Sequence, residues 1–175
     1  MNRTALDDAF GHHIWATRRL LETCAHLTPE QLDTTVRGTY GSIIATLRHA
    51  IGGGDTWYQF RIGGDAYHPL TDEEEAALDI DGLLALWDRV DRGWADILAT
   101  KPDPHEMVQV RRDDGSETHA PKGIRLAQVI HHGTDHRSQI CTALTQLGVE
   151  PPEIDVWAYG VASGRITEVA PTVGA

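Results

Sequence analysis

The chain lacks the features that mark secreted or membrane-bound proteins. Only two of its 175 residues, Cys24 and Cys141, are cysteines, and both lie in segments of helical periodicity. No apolar run reaches the roughly 18 residues that a membrane span requires. The opening stretch MNRTALDDAF has no basic region followed by an apolar block. We therefore expect buried, reduced thiols, no membrane span, no secretory signal and a cytoplasmic location.

Basic residues are scarce relative to acidic ones. The chain has 15 Lys and Arg against 26 Asp and Glu, which gives a formal net charge of −11. A surface of this sign repels phosphate backbones and anionic lipids, so we expect neither nucleic acid nor a membrane as a partner. Hydrophobic residues make up 41% of the chain. This content suffices for a packed core, and we predict a single domain over residues 1–175.

Four long segments repeat apolar residues at helical spacing. They run from about residues 4 to 27, 42 to 62, 81 to 99 and 121 to 147. Asp114-Gly115, between two short extended runs, predicts a β-hairpin before the fourth helix. Four amphipathic helices in one small domain bury their apolar stripes against each other. The predicted fold is therefore all-α, a four-helix bundle with a small β-hairpin.

The fourth helix carries an unusual number of titratable side chains in VIHHGTDHRSQI, residues 129–140. His132 and His136 are one turn and about 40° apart on a helical wheel, on the flank of the apolar stripe. Two imidazoles at this spacing grip a divalent metal ion. Two partly buried histidines that hydrogen-bond to their neighbours fit the spacing equally well. A third ligand is needed, and spacing does not choose it among the other eight histidines, of which His131 is predicted to face solvent.

Two further polar residues fall at positions that periodicity assigns to the core. Arg137 lies inside the apolar stripe of the fourth helix, where a guanidinium requires a carboxylate or carbonyl partner. We expect an ion pair between helices, with capture of an anionic substrate group as the alternative. His13 of the first helix is interpreted as a hydrogen-bonded core histidine, with a place beside the same cavity as the alternative.

Three stretches of the chain resemble the DinB/YfiT-like superfamily. VIHHGTDHRSQI is similar to the superfamily's fourth-helix pattern H-V-x-N-H-x-x-x-H-R-x-Q-I, with matches at His132, His136, Arg137, Gln139 and Ile140. LRHAIGGGDTWY resembles its pattern H-x-x-x-x-x-[DE]-x-W and places His49 at the third ligand position. FGHHIWATRRLLE resembles its first-helix opening. On a straight wheel His49 lies off the apolar stripe of its helix, so its assignment rests on the resemblance. The glycines Gly52 to Gly54 are candidates for a bend there.

The resemblance implies an up-up-down-down four-helix bundle, a divalent metal ion held by His49, His132 and His136, and a homodimer. Zinc and nickel are the preferred ions, although three imidazoles also suit copper and iron. Family members include thiol-dependent transferases and isomerases, so we expect metal-dependent S-transfer or isomerisation with a low-molecular-weight thiol and a small-molecule substrate. The alternatives are a metal-dependent hydrolase, a non-catalytic metal- or small-molecule-binding stress protein, and a member without metal.

Overall fold

The chain is mostly helical, with one two-stranded sheet, in a computed structural model that describes residues 3–112 and 114–169. The helical elements in order are α1 Ala5–Cys24, α2 Pro29–Leu32, α3 Ile43–Arg48, a π-helical segment His49–Thr56, α4 Trp57–Gly63, α5 Asp72–Ala77, α6 Ile80–Ala99, α7 Lys122–Gln146 and α8 Val156–Ala162. The strands β1 Met107–Arg111 and β2 Glu117–Pro121 precede α7. No helix in this described part has the length and apolarity that a membrane crossing requires.

Helices begin where the sequence offers a capping side chain. Thr4 accepts a hydrogen bond from the N–H of Asp7, whose carboxylate accepts one from the N–H of Thr4. This capping box starts α1. Ser42, the predicted cap of the second long helix, accepts a backbone N–H from the first turn of α3. Both predicted starts are confirmed, whereas α1 ends at Cys24 and does not continue to Leu27.

The predicted second helix is continuous from Ile43 to Gly63, but its middle is not α-helical. From His49 to Thr56 the backbone is π-helical, with hydrogen bonds that reach one residue further than in an α-helix. The extra residue in this turn shifts the buried face of the residues C-terminal to it. Gln59 is buried where a straight wheel places Tyr58. A straight wheel therefore misplaces the residues of this segment relative to the core.

The predicted hairpin is confirmed. β1 and β2 pair antiparallel, with Val108 opposite Ala120. Gly115 in the turn has φ of 82°, a left-handed conformation that glycine adopts without the steric cost of a Cβ. β2 runs directly into α7, so the hairpin leads to the helix that carries His132 and His136.

One core is shared by four helical stretches: α1, the stretch Ile43–Gly63, α6 and α7. α1 packs on α6 and α7, and the stretch Ile43–Gly63 packs on the same two helices. Trp87 and Trp94 of α6 and leucines from the other stretches are completely buried. Because buried apolar surface contributes about 25 cal/mol per Å², the packing of these stripes dominates the stability of the fold.

The link between the stretch Ile43–Gly63 and α6 contains the short helix α5, which the apolar pattern does not predict. Thr71 and Glu74 form a capping box at its start. At its other end the Nε of Arg48 donates to the carbonyl of Leu78 over 2.7 Å. The bond from Arg48 joins the end of α5 to α3, and α5 also contacts the π-helical segment.

Candidate metal centre

Three histidines from two parts of the chain converge beside α7. His49 is the first residue of the π-helical segment, and His132 and His136 lie one turn apart on α7. The Nε2 atom of His132 is 3.2 Å from that of His49 and 3.2 Å from that of His136. All three nitrogens lie within 4.8 Å of one another. The structure thus brings together the pair that spacing selects and the residue that only the resemblance selects.

The spacing and the chemistry of these nitrogens fit a single cation. Two imidazole nitrogens about 2.0–2.1 Å from one tetrahedral zinc ion lie roughly 3.3 Å apart, close to the observed 3.2 Å. One ring nitrogen carries either one N–H or one lone pair. The Nε2 atom of His132 therefore cannot satisfy both of its neighbours by hydrogen bonding, whereas three lone pairs directed at one cation are all satisfied.

The π-helical segment and its glycines make room for this cluster. A Cβ at Gly54 would lie 2.7 Å from Cε1 of His132, and a Cβ at Gly53 would lie 3.2 Å from Nδ1 of His49. Only a residue without a side chain lets the imidazole of His132 pack so closely on this backbone. A single-turn π-bulge is common at functional sites. Here the π-helical segment begins at His49, which a straight wheel places off the apolar stripe.

Gln139 fixes the tautomer of His136. Its Oε1 accepts the backbone N–H of Tyr40 and lies 3.1 Å from Nδ1 of His136. Since an amide oxygen only accepts, Nδ1 of His136 carries the proton, and the Nε2 lone pair faces the other two histidines. Sequence reasoning matched Gln139 to the family pattern without a role.

Tyr40 was missed entirely by sequence reasoning. Its ring stacks on His49, with centroids 4.1 Å apart and an angle of 12° between the planes, and meets the edge of His136. The side chain is 57% exposed. Tyr40 lies in a loop outside any apolar stripe, so no periodic signal identified it.

The environment of the cluster favours neutral imidazoles. Burial, and then the neighbouring His136 and His49, lower the pKa of His132 to about 4. Burial also lowers the pKa of His49, with His136 adding to the effect. At neutral pH these two rings are therefore uncharged, which is the form that donates to a metal ion.

A second polar cluster lies in the core, where Arg137 is 5% exposed and His13 is 1% exposed. NH1 of Arg137 lies 2.9 Å from Nδ1 of His13 and donates to the hydroxyl of Thr17 over 3.1 Å. Nε2 of His13 is 2.9 Å from Oδ1 of Asp55. The same oxygen accepts the indole N–H of Trp94 over 2.7 Å. We call Arg137, His13 and Asp55 the buried triad.

The donor pattern of the buried triad fixes the direction of its hydrogen bonds. A guanidinium only donates, so Nδ1 of His13 accepts and its Nε2–H donates to Asp55. Burial lowers the pKa of Arg137 to about 10, and Asp55 opposes this effect. The prediction that a carboxylate or carbonyl contacts Arg137 directly is wrong, because the imidazole of His13 lies between the guanidinium and the carboxylate of Asp55. The interpretation of His13 as a hydrogen-bonded core residue is confirmed.

The alternative role of Arg137, capture of an anionic substrate group, receives no support. Both of its terminal nitrogens have protein partners, NH1 in the core as described and NH2 with the hydroxyl of the exposed Thr134. His131 is exposed, as predicted. Arg137 therefore joins α7 to His13 and Thr17 of α1.

The family model of the DinB family matches residues 1–167 of the chain. The chain belongs to the DinB family. The match includes His49, His132 and His136, so all three histidines lie inside the family region. The resemblance drawn from the sequence patterns is thereby confirmed at the level of the family.

The crystal structure of a DinB-like protein from Bacillus cereus is similar to this DinB family chain, with a TM-score of 0.63. The two chains are 15% identical, and the similarity covers 86% of this chain and 95% of the other. At this identity the likeness concerns the fold. No curated protein matches the chain.

Proposed function

We propose that this DinB family protein holds one divalent metal ion at His49, His132 and His136. The observation that carries the proposal is the convergence of three Nε2 atoms, with separations of 3.2 Å from His132 to each of the other two. Two of these rings have lowered pKa values because they are buried, and Gln139 orients the third. Zinc and nickel remain the preferred ions among the four that imidazole suits.

We further propose an enzyme that transfers or isomerises substrates with a low-molecular-weight thiol. Three neutral ligands are typical of catalytic zinc sites, which keep a position for water or substrate. When bound, a divalent ion there supplies positive charge that lowers the pKa of a thiol. The chain's own part is to keep His49 and His132 neutral by burial and to orient the rings. Gln139 orients His136, and Tyr40 stacks on His49 at the exposed side.

Metal analysis of purified protein tests the site. We expect one ion per chain in the wild type and near-complete loss in His132→Ala, because two remaining imidazoles hold an ion poorly. His131→Ala is the matched control, since this exposed neighbour on the same helix lies outside the cluster. Equal metal content in wild type and His132→Ala would refute the assignment.

A conjugation assay tests the reaction. Metal-loaded protein is incubated with monochlorobimane and one of several thiols. A carbon–sulfur bond forms, chloride leaves and the thiol proton is released. Turnover that disappears in His132→Ala and persists in His131→Ala supports the enzyme. Stoichiometric metal without turnover on any thiol would favour the non-catalytic alternative, and hydrolysis of ester substrates would favour the hydrolase.

One structural feature favours the small-molecule-binding alternative. A groove of about 1090 Å³ between α1 and α6 is lined mainly by apolar residues such as Phe10, Trp15 and Trp94, with charged residues such as Arg18 and Asp91 beside them. None of the three clustered histidines lines it. An apolar groove of this size suits an apolar ligand. A dye such as ANS that binds wild type and His132→Ala equally would support an apolar binding site independent of the metal.

We also infer the helix topology, the oligomeric state and the lack of nucleic acid partners that the sequence and the resemblance imply. The packing of α1 and the stretch Ile43–Gly63 on both α6 and α7 supports an up-up-down-down bundle. The exposed apolar side chains of Val156 and Trp157 on α8 support a homodimer, which sedimentation velocity tests. The net charge of −11 supports the absence of nucleic acid partners. A cytoplasmic location and a single domain remain predictions.

A further inference from the structure

The second ring nitrogen of His49, Nδ1, can bind a partner outside the three-histidine cluster. Within residues 3–112 and 114–169, Nε2 of His49 meets His132, while its Nδ1 has no hydrogen bond to the protein. That Nδ1 is not among the fully buried unpaired atoms of this region, so water can reach it. Histidines that bind metals almost always donate this second N–H to a carboxylate, a carbonyl or water.

Glu75 of α5 is the carboxylate at this position. A Cβ at Gly53 would lie 3.2 Å from Nδ1 of His49, 3.1 Å from Oε2 of Glu75 and 3.7 Å from Oε1 of Glu75. The carboxylate and the imidazole nitrogen thus border the same small gap above Gly53. One water that accepts the Nδ1–H and donates to the carboxylate can bridge two such groups.

The backbone of Gly52 and Gly53 leaves room for the side chain of Glu75 because neither residue has a side chain. A Cβ at Gly52 would lie 3.0 Å from Cγ and 3.1 Å from Oε2 of Glu75. The glutamate side chain therefore lies across Gly52 and Gly53, and any larger residue at either position would push it away from His49. The run Gly52 to Gly54 then has two uses, since its last member makes room for His132 and its first two make room for Glu75.

Glu75 differs from the other acidic residues of α5. Asp72, Glu73 and Glu74 are exposed, whereas Glu75 is half-buried against the π-helical segment. Burial and the neighbouring Asp72 raise the pKa of Glu75, and Arg48 opposes them. The helix is held in place by its capping box and by the bond from Arg48 to the carbonyl of Leu78.

We propose that Glu75 is a positioning residue of the metal centre, which accepts the Nδ1–H of His49 through one bridging water and so directs its Nε2 toward His132 and His136. The inference rests on the proposed metal site. Glu75 is not itself a ligand, because its oxygens lie at the Nδ1 side of the ring and outside the three-histidine group. The link that carries α5 thereby becomes part of the site.

The test compares Zn²⁺ affinity in four full-length proteins by competition with a chromophoric chelator. Loss of a carboxylate of this kind lowers metal affinity about 10–100-fold, which is the effect expected for Glu75→Ala. Glu75→Gln keeps an acceptor oxygen and should lose less. Glu73→Gln, with the same charge change on the exposed face of the same helix, should bind Zn²⁺ like the wild type.

Imidazole ¹⁵N chemical shifts of His49 provide a readout that a merely structural role of Glu75 would not move. In the wild type with Zn²⁺ we expect Nδ1 to be protonated and hydrogen-bonded, with a shift that changes in Glu75→Ala but not in Glu73→Gln. Wild-type affinity in Glu75→Ala would overturn the inference and leave the proposed metal site intact. Equal losses in the Glu75 and Glu73 variants would also overturn it, because helix charge would then be the cause. A wild type that binds no Zn²⁺ would refute the proposed site itself.

Discussion

The buried triad allows a quantitative prediction for Asp55. This carboxylate is 4% exposed and accepts two hydrogen bonds, from His13 and Trp94. It is also the negative charge that opposes burial of Arg137. Asp55→Ala removes the charge and leaves two buried donors without a partner. Each buried donor left without a partner costs about 1–3 kcal/mol, and the lost charge adds to this, so we expect a loss of unfolding free energy of about 3–5 kcal/mol.

Asp55→Asn separates the contribution of charge to stability from that of hydrogen bonding. The amide oxygen still accepts from His13 and Trp94, so only the charge is lost and the expected cost is about 2–3 kcal/mol. Urea unfolding of the metal-free protein, followed by tryptophan fluorescence and circular dichroism, measures both values. Asp135→Asn is the control, because this residue is exposed on the same helix as Arg137 and its change should stay within about 0.5 kcal/mol.

A double-mutant cycle isolates the interaction within the buried triad. If Asp55 acts by offsetting the charge of Arg137, Asp55→Asn should cost at least about 1 kcal/mol less in an Arg137→Met background than in the wild type. Additive losses would show that the two charges do not interact through His13. Wild-type stability of Asp55→Asn would refute the electrostatic reasoning as a whole.

Three further outcomes test the histidine cluster and the thiols. Gly54→Ala should lower Zn²⁺ affinity about tenfold or more, measured by chelator competition, because its Cβ would lie 2.7 Å from the ring of His132. Burial lowers the pKa of His132 to about 4, so the unfolded chain, titrating near 6.5, binds the proton first. The stability that this neutral ring contributes to metal-free protein is complete above about pH 6.5 and is lost toward pH 4. Urea midpoints across this range should fall more steeply in wild type than in His132→Ala. Burial raises the pKa of Cys24 to about 12, so iodoacetamide at pH 8 should alkylate Cys141, which is partly exposed, and spare Cys24 until urea is added.

Sequence reasoning succeeded where the chain keeps one regular period. His132 and His136 lie on an uninterrupted helix, so their separation on a wheel predicts their proximity in space. Ser42 and Gly115 act locally, as a cap and in a turn, so short patterns suffice to predict them. In each case the physical cause of the structure lies within a few residues of the pattern.

The same reasoning failed where the period changes or where partners come from distant helices. His49 could not be placed by spacing because a π-helical segment begins at that residue. The imidazole between Arg137 and Asp55 comes from α1, and only the tertiary fold brings these side chains together. Helix α5 has no apolar stripe, and its capping box was the one local signal for it.

Both polar clusters depend on the length of the π-helical segment. It carries His49 of the three-histidine cluster at its start and Asp55 of the buried triad near its end. Deleting a single glycine would restore regular α geometry and rotate one of these residues by about 100° relative to the other. Such a deletion cannot keep both residues in place, whereas an amino-acid exchange leaves the backbone register between them unchanged.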